Sequence, residues 1–250
     1  MSDKVDVTLF FPVFRDERTV RTVAEKALAV LSDVANHYEV LIIDDASPDR
    51  SGAIADELAA EHEHVRVIHH ETNRGYGEAV KTGLRNARYD WICLTDGDDE
   101  YDVFDLYNLI RLRDFYDLII TFRYVKLYSG PRVFISWVYN LLVRILFRAP
   151  YRDVSTGLRL VRKSLADELD LESSSPFIGA ELAIKTMLRG YRVGEVGIQT
   201  FPRSFGRGFS TTPANIRATI ADMLHTRRAI FSDSYRLPPH RRRGAGGKHP

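Results

Sequence analysis

Short apolar runs alternate with stretches of helical periodicity through residues 5–94, and this alternation limits the fold more than any other feature. Val5 to Phe11 is rich in β-formers and runs into Pro12. Thr19 to Val34 has helical spacing, with Val20, Val23, Ala27, Val30 and Leu31 on one face. Val40-Leu41-Ile42-Ile43 reads as a buried strand stopped by Asp44-Asp45, and Asp49 or Ser51 can cap a helix through Leu58. Val65 to Ile68 is the next strand, Gly75 to Ala87 the next helix, and Trp91 to Leu94 a further strand. Strands that alternate with helices make parallel sheets, because each crossover helix returns the chain to the same edge. The expected fold is therefore α/β: one doubly wound, mostly parallel sheet flanked by helices.

The pattern continues less regularly. Asp117 to Thr121 and Tyr191 to Thr200 read as strands, and 132–147, 177–188 and 213–231 as helices. No repeat or linker divides the chain. The expectation is one domain over residues 1–235 and a disordered basic tail over 236–250, where Arg241-Arg242-Arg243 meets a glycine-rich run. A chain of 250 residues can bury one sizeable core.

Leu94-Thr95-Asp96-Gly97-Asp98-Asp99-Glu100 follows directly on a strand. Carboxylates released at a strand's carboxyl end face the crevice where open α/β sheets bind ligands. Packed this tightly they repel one another unless a cation sits among them, and hard oxygen donors suit Mg²⁺ or Mn²⁺. The loops after the first two strands, Phe11-Pro12-Val13-Phe14-Arg15-Asp16-Glu17 and Asp44-Asp45-Ala46-Ser47-Pro48-Asp49, emerge on the same side. Together the three loops can supply partners for a base, acceptors for a ribose and a cation for a diphosphate. The bland alternative for Asp44 and Asp45 is to cap the following helix.

The charges nearly cancel, at +1, so nothing favours nucleic acid. The single Cys93 lies in an apolar run, as in proteins of reducing compartments. The N-terminus has no signal-peptide pattern, and no apolar run reaches the roughly 18 residues of a membrane span. These features predict a cytoplasmic protein. The segment Val133 to Phe147 is apolar on nearly every side, with Arg132, Arg144 and Arg148 at its ends. Such a helix must be buried or touch lipid. Its thin polar face predicts burial of most of its surface, with a peripheral contact on the inner membrane face as the alternative.

These motifs resemble family-2 glycosyltransferases of the GT-A fold, most closely the dolichol-phosphate mannose synthase-like branch. The resemblance spans about residues 5–230. It also rests on Asn73-Arg74-Gly75-Tyr76-Gly77-Glu78-Ala79, Arg123-Tyr124, Asp153 with Thr156-Gly157-Leu158-Arg159, Glu181-Leu182, Gly190 to Val196, and Arg203 ahead of Gly206. It implies an inverting, metal-dependent transfer of a sugar from a nucleotide-diphosphate sugar. Nucleotide-sugar binding is implied for Pro12, Phe14, Glu17, Asp44, Asp45, Asp49, Asp96 and Gly97. Metal binding is implied for Asp96, Asp98 and Glu100, with Asp98 the main ligand and Glu100 standing where the branch often carries Gln. Arg123 and Arg203 occupy positions that resemble the phosphate-gripping arginines of the branch, and Arg132, Ser136 and Asn140, at four-residue spacing on one helix face, are further candidates for binding an acceptor phosphate. Asp98, Glu181 and Arg203 are the expected catalytic residues, Glu181 as general base for a hydroxyl acceptor. The segment 204–210 departs from the R-x-R-G-E-S pattern of the branch.

Two acceptor classes stay open: a polyprenyl phosphate, or a soluble hydroxyl compound. A sugar nucleotidyltransferase would carry a glycine-rich loop near the N-terminus, and Phe11 to Arg18 has no glycine. A binding module without catalysis does not account for the intact acidic pair.

Overall fold

Successive residues of the first strand point into two different cores. Val7, Leu9 and Phe11 join one apolar cluster, and Phe10 joins the other. The next strand repeats the pattern, with Val40 and Ile42 on one side and Leu41 and Ile43 on the other. Side chains alternate across a strand, so a strand apolar at every position must be covered on both faces. The computed structural model describes residues 4–125, 130–201 and 212–232 and shows that arrangement.

The chain runs β1 (Val5–Val13), α1 (Val20–Val34), β2 (Ala35–Asp44), α2 (Ser51–Glu61), β3 (Val65–His69), α3 (Tyr76–Asn86) and β4 (Trp91–Leu94). A 3₁₀ turn, Val103–Asp105, leads into α4 (Leu106–Ile110), β5 (Leu118–Arg123) and α5 (Gly130–Phe147). Then come β6 (Arg159–Arg162), α6 (Lys163–Glu168), α7 (Ile178–Leu188), β7 (Val193–Ile198) and α8 (Pro213–Phe231). Seven strands form one sheet in the order β3-β2-β1-β4-β6-β5-β7. Helices α1, α2 and α4 bury Val20, Val23, Ala27, Leu31, Leu58 and Leu106 on one face. Helices α3, α5, α7 and α8 cover the other with Ala79, Val80, Val143, Phe147, Ile184 and Met223.

Strand β1 pairs in parallel with β2 on one side and β4 on the other. The winding direction reverses there, which opens a crevice at the carboxyl ends of β1 and β4. Strand β6 runs antiparallel to both β4 and β5. Its four residues, Arg-Leu-Val-Arg, were too short and too charged at their ends to read as a strand. The reversal matters because it brings the start of β6 to the end of β4, where Arg159 pairs with Leu94. The loop 153–158 is thereby delivered to the crevice.

The expected burial of α5 is not what the fold contains. Only Asn140, Val143 and Phe147 are buried along it, while Phe134, Trp137 and Ile145 are 62%, 58% and 64% exposed. Among the described residues nothing covers the outer face of this helix. Among the described residues no helix is long and apolar enough to cross a membrane. The basic tail lies outside the described residues.

Candidate active site

A cavity of about 580 Å³ opens between the ends of β1 and β4, the start of α3, and helices α5 and α8. Pro12, Val13 and Phe14 reach it from β1, Asp45 from β2, and Asp96, Gly97 and Asp98 from β4. Gly97 is required by close approach: a Cβ there would lie 2.8 Å from the Pro12 carbonyl oxygen. The Thr19 hydroxyl donates to the Gly97 carbonyl at 2.7 Å and pins the same loop from outside.

The acidic run splits by direction. Asp96, Asp98 and Glu100 line the cavity. Asp99 takes a left-handed backbone, φ 57°, and its carboxylate leaves for Lys26 Nζ at 2.7 Å. Asp98 Oδ1 accepts from the Glu100 N–H at 3.1 Å, and Glu100 Oε2 lies 3.5 Å from an Arg132 nitrogen. Among the described residues no three His, Cys, Asp or Glu side chains converge where one metal ion could sit. The expected three-carboxylate set is therefore not gathered as a ligand group, because Glu100 is turned towards Arg132 and Asp96 towards Tyr76. One or two carboxylates with the oxygens of a bound diphosphate are a sufficient donor set for Mg²⁺ or Mn²⁺, and the cavity-facing oxygens here fit that smaller role.

The Tyr76 hydroxyl donates to Asp96 Oδ1 at 2.8 Å. Burial, then the adjacent Asp96 charge, pushes the Tyr76 phenol well above its ordinary pKa, so it stays a donor. Arg159 lies beneath, buried, with its guanidinium on the carbonyls of Val154, Thr156 and Gly179. Burial lowers its pKa against the opposing pull of Tyr76 and Asp96. Asp45 is also well bonded. It accepts from His70 Nδ1 at 2.7 Å and from the N–H groups of Arg74 and Gly75, each at 2.8 Å.

Arg123, Arg132 and Ser136 also line the cavity. Arg123 holds Asp153 through Nε and one terminal nitrogen, at 2.9 and 2.7 Å, and reaches the Ser155 hydroxyl. Asn140 donates to the other Asp153 oxygen at 3.1 Å and accepts from the Val154 N–H. This network fastens α5 to the 153–158 loop. Beyond the polar groups the lining turns apolar, with Ile135, Val138 and Leu142 from α5 facing Ile216, Ile220 and Met223 from α8.

Four expected site residues are not brought to the cavity lining. Asp44 accepts from the Ser47 N–H at 3.0 Å and meets His69 Nδ1 at 2.9 Å. Asp49 accepts from the N–H and hydroxyl of Ser51, and Glu17 accepts from the Arg50 N–H at 3.2 Å. These three carboxylates shape the turns beside the site, as short polar side chains do after strands. Glu181 is fully buried in α7, 2.6 Å from Lys185 Nζ, and takes the N–H groups of Glu172 and Ser173. Burial alone would raise its pKa, but Lys185 and these donors outweigh it and hold it low. A sealed, ionised and fully bonded carboxylate is not presented to a substrate. Arg203 lies outside the described residues.

The family model described as Glycosyl transferase family 2 matches residues 8–170. An undecaprenyl-phosphate mannosyltransferase of Micrococcus luteus is 33% identical over 190 residues, covering 72% of this chain and 78% of the relative. The chain belongs to glycosyltransferase family 2. A polyprenol monophosphomannose synthase of Mycolicibacterium smegmatis is 30% identical over 181 residues, covering 67% of this chain and 68% of the relative. These relatives place it in the dolichol-phosphate mannose synthase-like branch. Glucosyl-3-phosphoglycerate synthase from Mycobacterium tuberculosis, solved with Mn²⁺, uridine diphosphate and phosphoglyceric acid, superposes with a TM-score of 0.72 at 18% identity. It covers 89% of this chain and 78% of that one, and the likeness establishes the GT-A fold.

In this family-2 glycosyltransferase the cavity is also lined by Tyr76 and Arg159, which lie within the motifs that carry the resemblance but to which the sequence assigns no role. The cavity face of α8 carried only an apolar stripe, which fits an ordinary core helix equally well.

Proposed function

We propose that the enzyme transfers a sugar from a nucleotide-diphosphate sugar to a polyprenyl phosphate, with a divalent Mg²⁺ or Mn²⁺ ion and inversion at the anomeric carbon. One observation carries this reading. One cavity is lined by the carboxylates Asp96 and Asp98, by Arg132 and Ser136, and by an apolar slot between α5 and α8. A nucleotide-sugar needs the first, an acceptor phosphate the second, and a prenyl chain the third. The Micrococcus undecaprenyl-phosphate mannosyltransferase and the Mycolicibacterium polyprenol monophosphomannose synthase support it.

In this reading Pro12, Phe14 and Gly97 shape the nucleotide end, and Asp98, with Asp96 or Glu100, holds the ion. The ion, when bound, offsets charge developing on the leaving diphosphate. Arg132 and Ser136 orient the acceptor, helped by Arg203 on the strength of the resemblance. An acceptor phosphate is already an anion at neutral pH, so it needs placement rather than a general base. That requirement agrees with the sealed position of Glu181.

The test is a transfer assay with UDP-, GDP- and dTDP-sugars and Mn²⁺, offering a polyprenyl phosphate or a pool of soluble hydroxyl acceptors. Transfer to the lipid phosphate alone is the expected result. Transfer only to soluble hydroxyl acceptors would move the assignment to the alternative class.

A further inference from the structure

We infer that Tyr76 is a positioning residue that fixes the Asp96 carboxylate for donor binding, and that it links the acidic groups after β2 and β4 into one unit. The inference rests on the donor site proposed above and goes beyond it.

The chain of contacts begins at Asp45, which is buried and receives the N–H groups of Arg74 and Gly75 and the His70 ring. Those bonds fix the turn into α3. Gly75 takes φ +90°, a backbone that a side chain rarely adopts, and helix α3 starts at the next residue. That residue is Tyr76. Its place at the first turn sends the hydroxyl across the crevice to Asp96 Oδ1 at 2.8 Å.

Asp96 is walled in from the opposite side. A Cβ on Gly157 would stand 2.3 Å from Asp96 Oδ2, so only glycine leaves the carboxylate its place. The buried Arg159 guanidinium, fixed by three carbonyls, supplies a positive charge close by. Hydroxyl, glycine backbone and buried cation together define one orientation for a carboxylate that otherwise has a free side-chain rotation. A ligand group held in advance does not lose that freedom on binding. Removing such outer partners typically costs about 10–100-fold in affinity or activity.

The experiment is a calorimetric titration of UDP, GDP and dTDP, each with Mn²⁺, into wild type, Tyr76→Phe, Asp96→Ala and the double variant, with a melting curve for each. For the nucleotide that wild type binds, Tyr76→Phe should weaken affinity about 10–100-fold. Its melting temperature should fall only about 2–4 °C, the scale of one hydrogen bond. In the Asp96→Ala background, which has no acceptor for the Tyr76 hydroxyl, the Tyr76→Phe change should cost nothing further, because the two residues act through one contact. Gly157→Ala would press its Cβ on the Asp96 carboxylate and should weaken affinity as well, an independent check that the placement of Asp96 governs donor binding. Wild-type affinity in Tyr76→Phe, or additive losses in the double variant, would overturn the inference alone. If wild type binds none of the three diphosphates, the donor-site reading falls and takes the inference with it.

Discussion

Glu181 Oε1 lies 2.6 Å from Lys185 Nζ, one helical turn along α7, and neither side chain has more than 2% of its surface exposed. A buried pair of this kind is costly to break, because the surviving Lys185 is left with only the Asp170 carbonyl and the more distant Glu172 carboxylate at 3.7 Å. Glu181→Gln should therefore destabilise the fold by about 3–5 kcal/mol and leave kcat per folded molecule near wild type. Denaturant melts and turnover normalised to folded protein check both halves. A fall in kcat of about 10²–10⁴ without loss of stability would restore Glu181 as a general base. The pH dependence has a definite sign. The folded pKa lies below the ordinary 4.5, so the contribution is present above that value and is lost as pH falls through the folded pKa.

The contrast between Glu181 and Asp98 shows what was legible in the sequence. Asp98 follows a four-residue strand apolar at every position, and strand ends in parallel sheets face a common crevice, so its place followed from pattern alone. Glu181 was placed by motif, and nothing local distinguishes a helix-start carboxylate facing a cavity from one facing a lysine. Its partners, the N–H groups of Glu172 and Ser173, depend on how the 169–176 segment folds back, which is a tertiary fact. The same limit applies to β6 and to the outer face of α5. A four-residue antiparallel strand has too few positions to show a period, and an apolar helix face reads the same whether covered or bare.

Metal dependence follows from the carboxylates at the end of β4. Asp98→Asn should lower turnover roughly 100-fold or more, since a metal's charge stabilisation amounts to several kcal/mol. Its melting temperature without nucleotide should stay close to wild type, because the Asp98 side chain bonds the Glu100 N–H within its own loop. Chelation with EDTA should abolish transfer and Mn²⁺ should restore it. Full turnover in EDTA would rule out the ion.

Two arginines at the acceptor end should behave differently. Arg123 is paired with Asp153, with 5% and 3% of their side chains exposed. Arg123→Ala should cost about 3–5 kcal/mol of stability by stranding the carboxylate. Arg132 is 28% exposed and sits 3.5 Å from Glu100, a looser contact. Arg132→Ala should change stability little and raise the KM for a polyprenyl phosphate about 10–100-fold, the equivalent of a hydrogen bond to a charged group. Thermal melts beside acceptor-saturation kinetics would separate the roles. Identical profiles for the two variants would refute them.

His69 joins three elements: Nδ1 meets Asp44 and Nε2 meets Asp56, each at 2.9 Å. Burial lowers its pKa, but the bonds to the two carboxylates outweigh burial and leave it above 6.5. A raised pKa means the contribution is complete below 6.5 and is lost as pH rises through the folded value. The ring is 42% exposed, so solvent screening holds the effect to about 1 kcal/mol or less. Melting temperature followed from acid to alkaline pH should decline for wild type over that window and flatten in His69→Gln. Parallel curves would remove the pairing from the stability of the fold.

The exposed face of α5 predicts where the enzyme would meet the proposed lipid acceptor. Phe134 and Trp137 stack at 6.0 Å between ring centroids, and Ile145 continues the apolar surface outwards. The helix carries Arg132 and Arg144 and no carboxylate. Ile135 and Leu142 continue from this helix into the slot of the cavity. An anionic bilayer would bury the rings and attract Arg144, and it is where the proposed polyprenyl acceptor resides. Burying one large apolar side chain is worth about 1.5–3 kcal/mol. Trp137→Ser should then weaken partitioning into vesicles containing phosphatidylglycerol about 10–100-fold. High salt should weaken wild type as well, because the arginine contribution is screened. Transfer to a short-chain, water-soluble prenyl phosphate should be unchanged in Trp137→Ser, since Trp137 faces away from the cavity lining. Unaltered sedimentation of Trp137→Ser with these vesicles would take the α5 face out of the membrane contact.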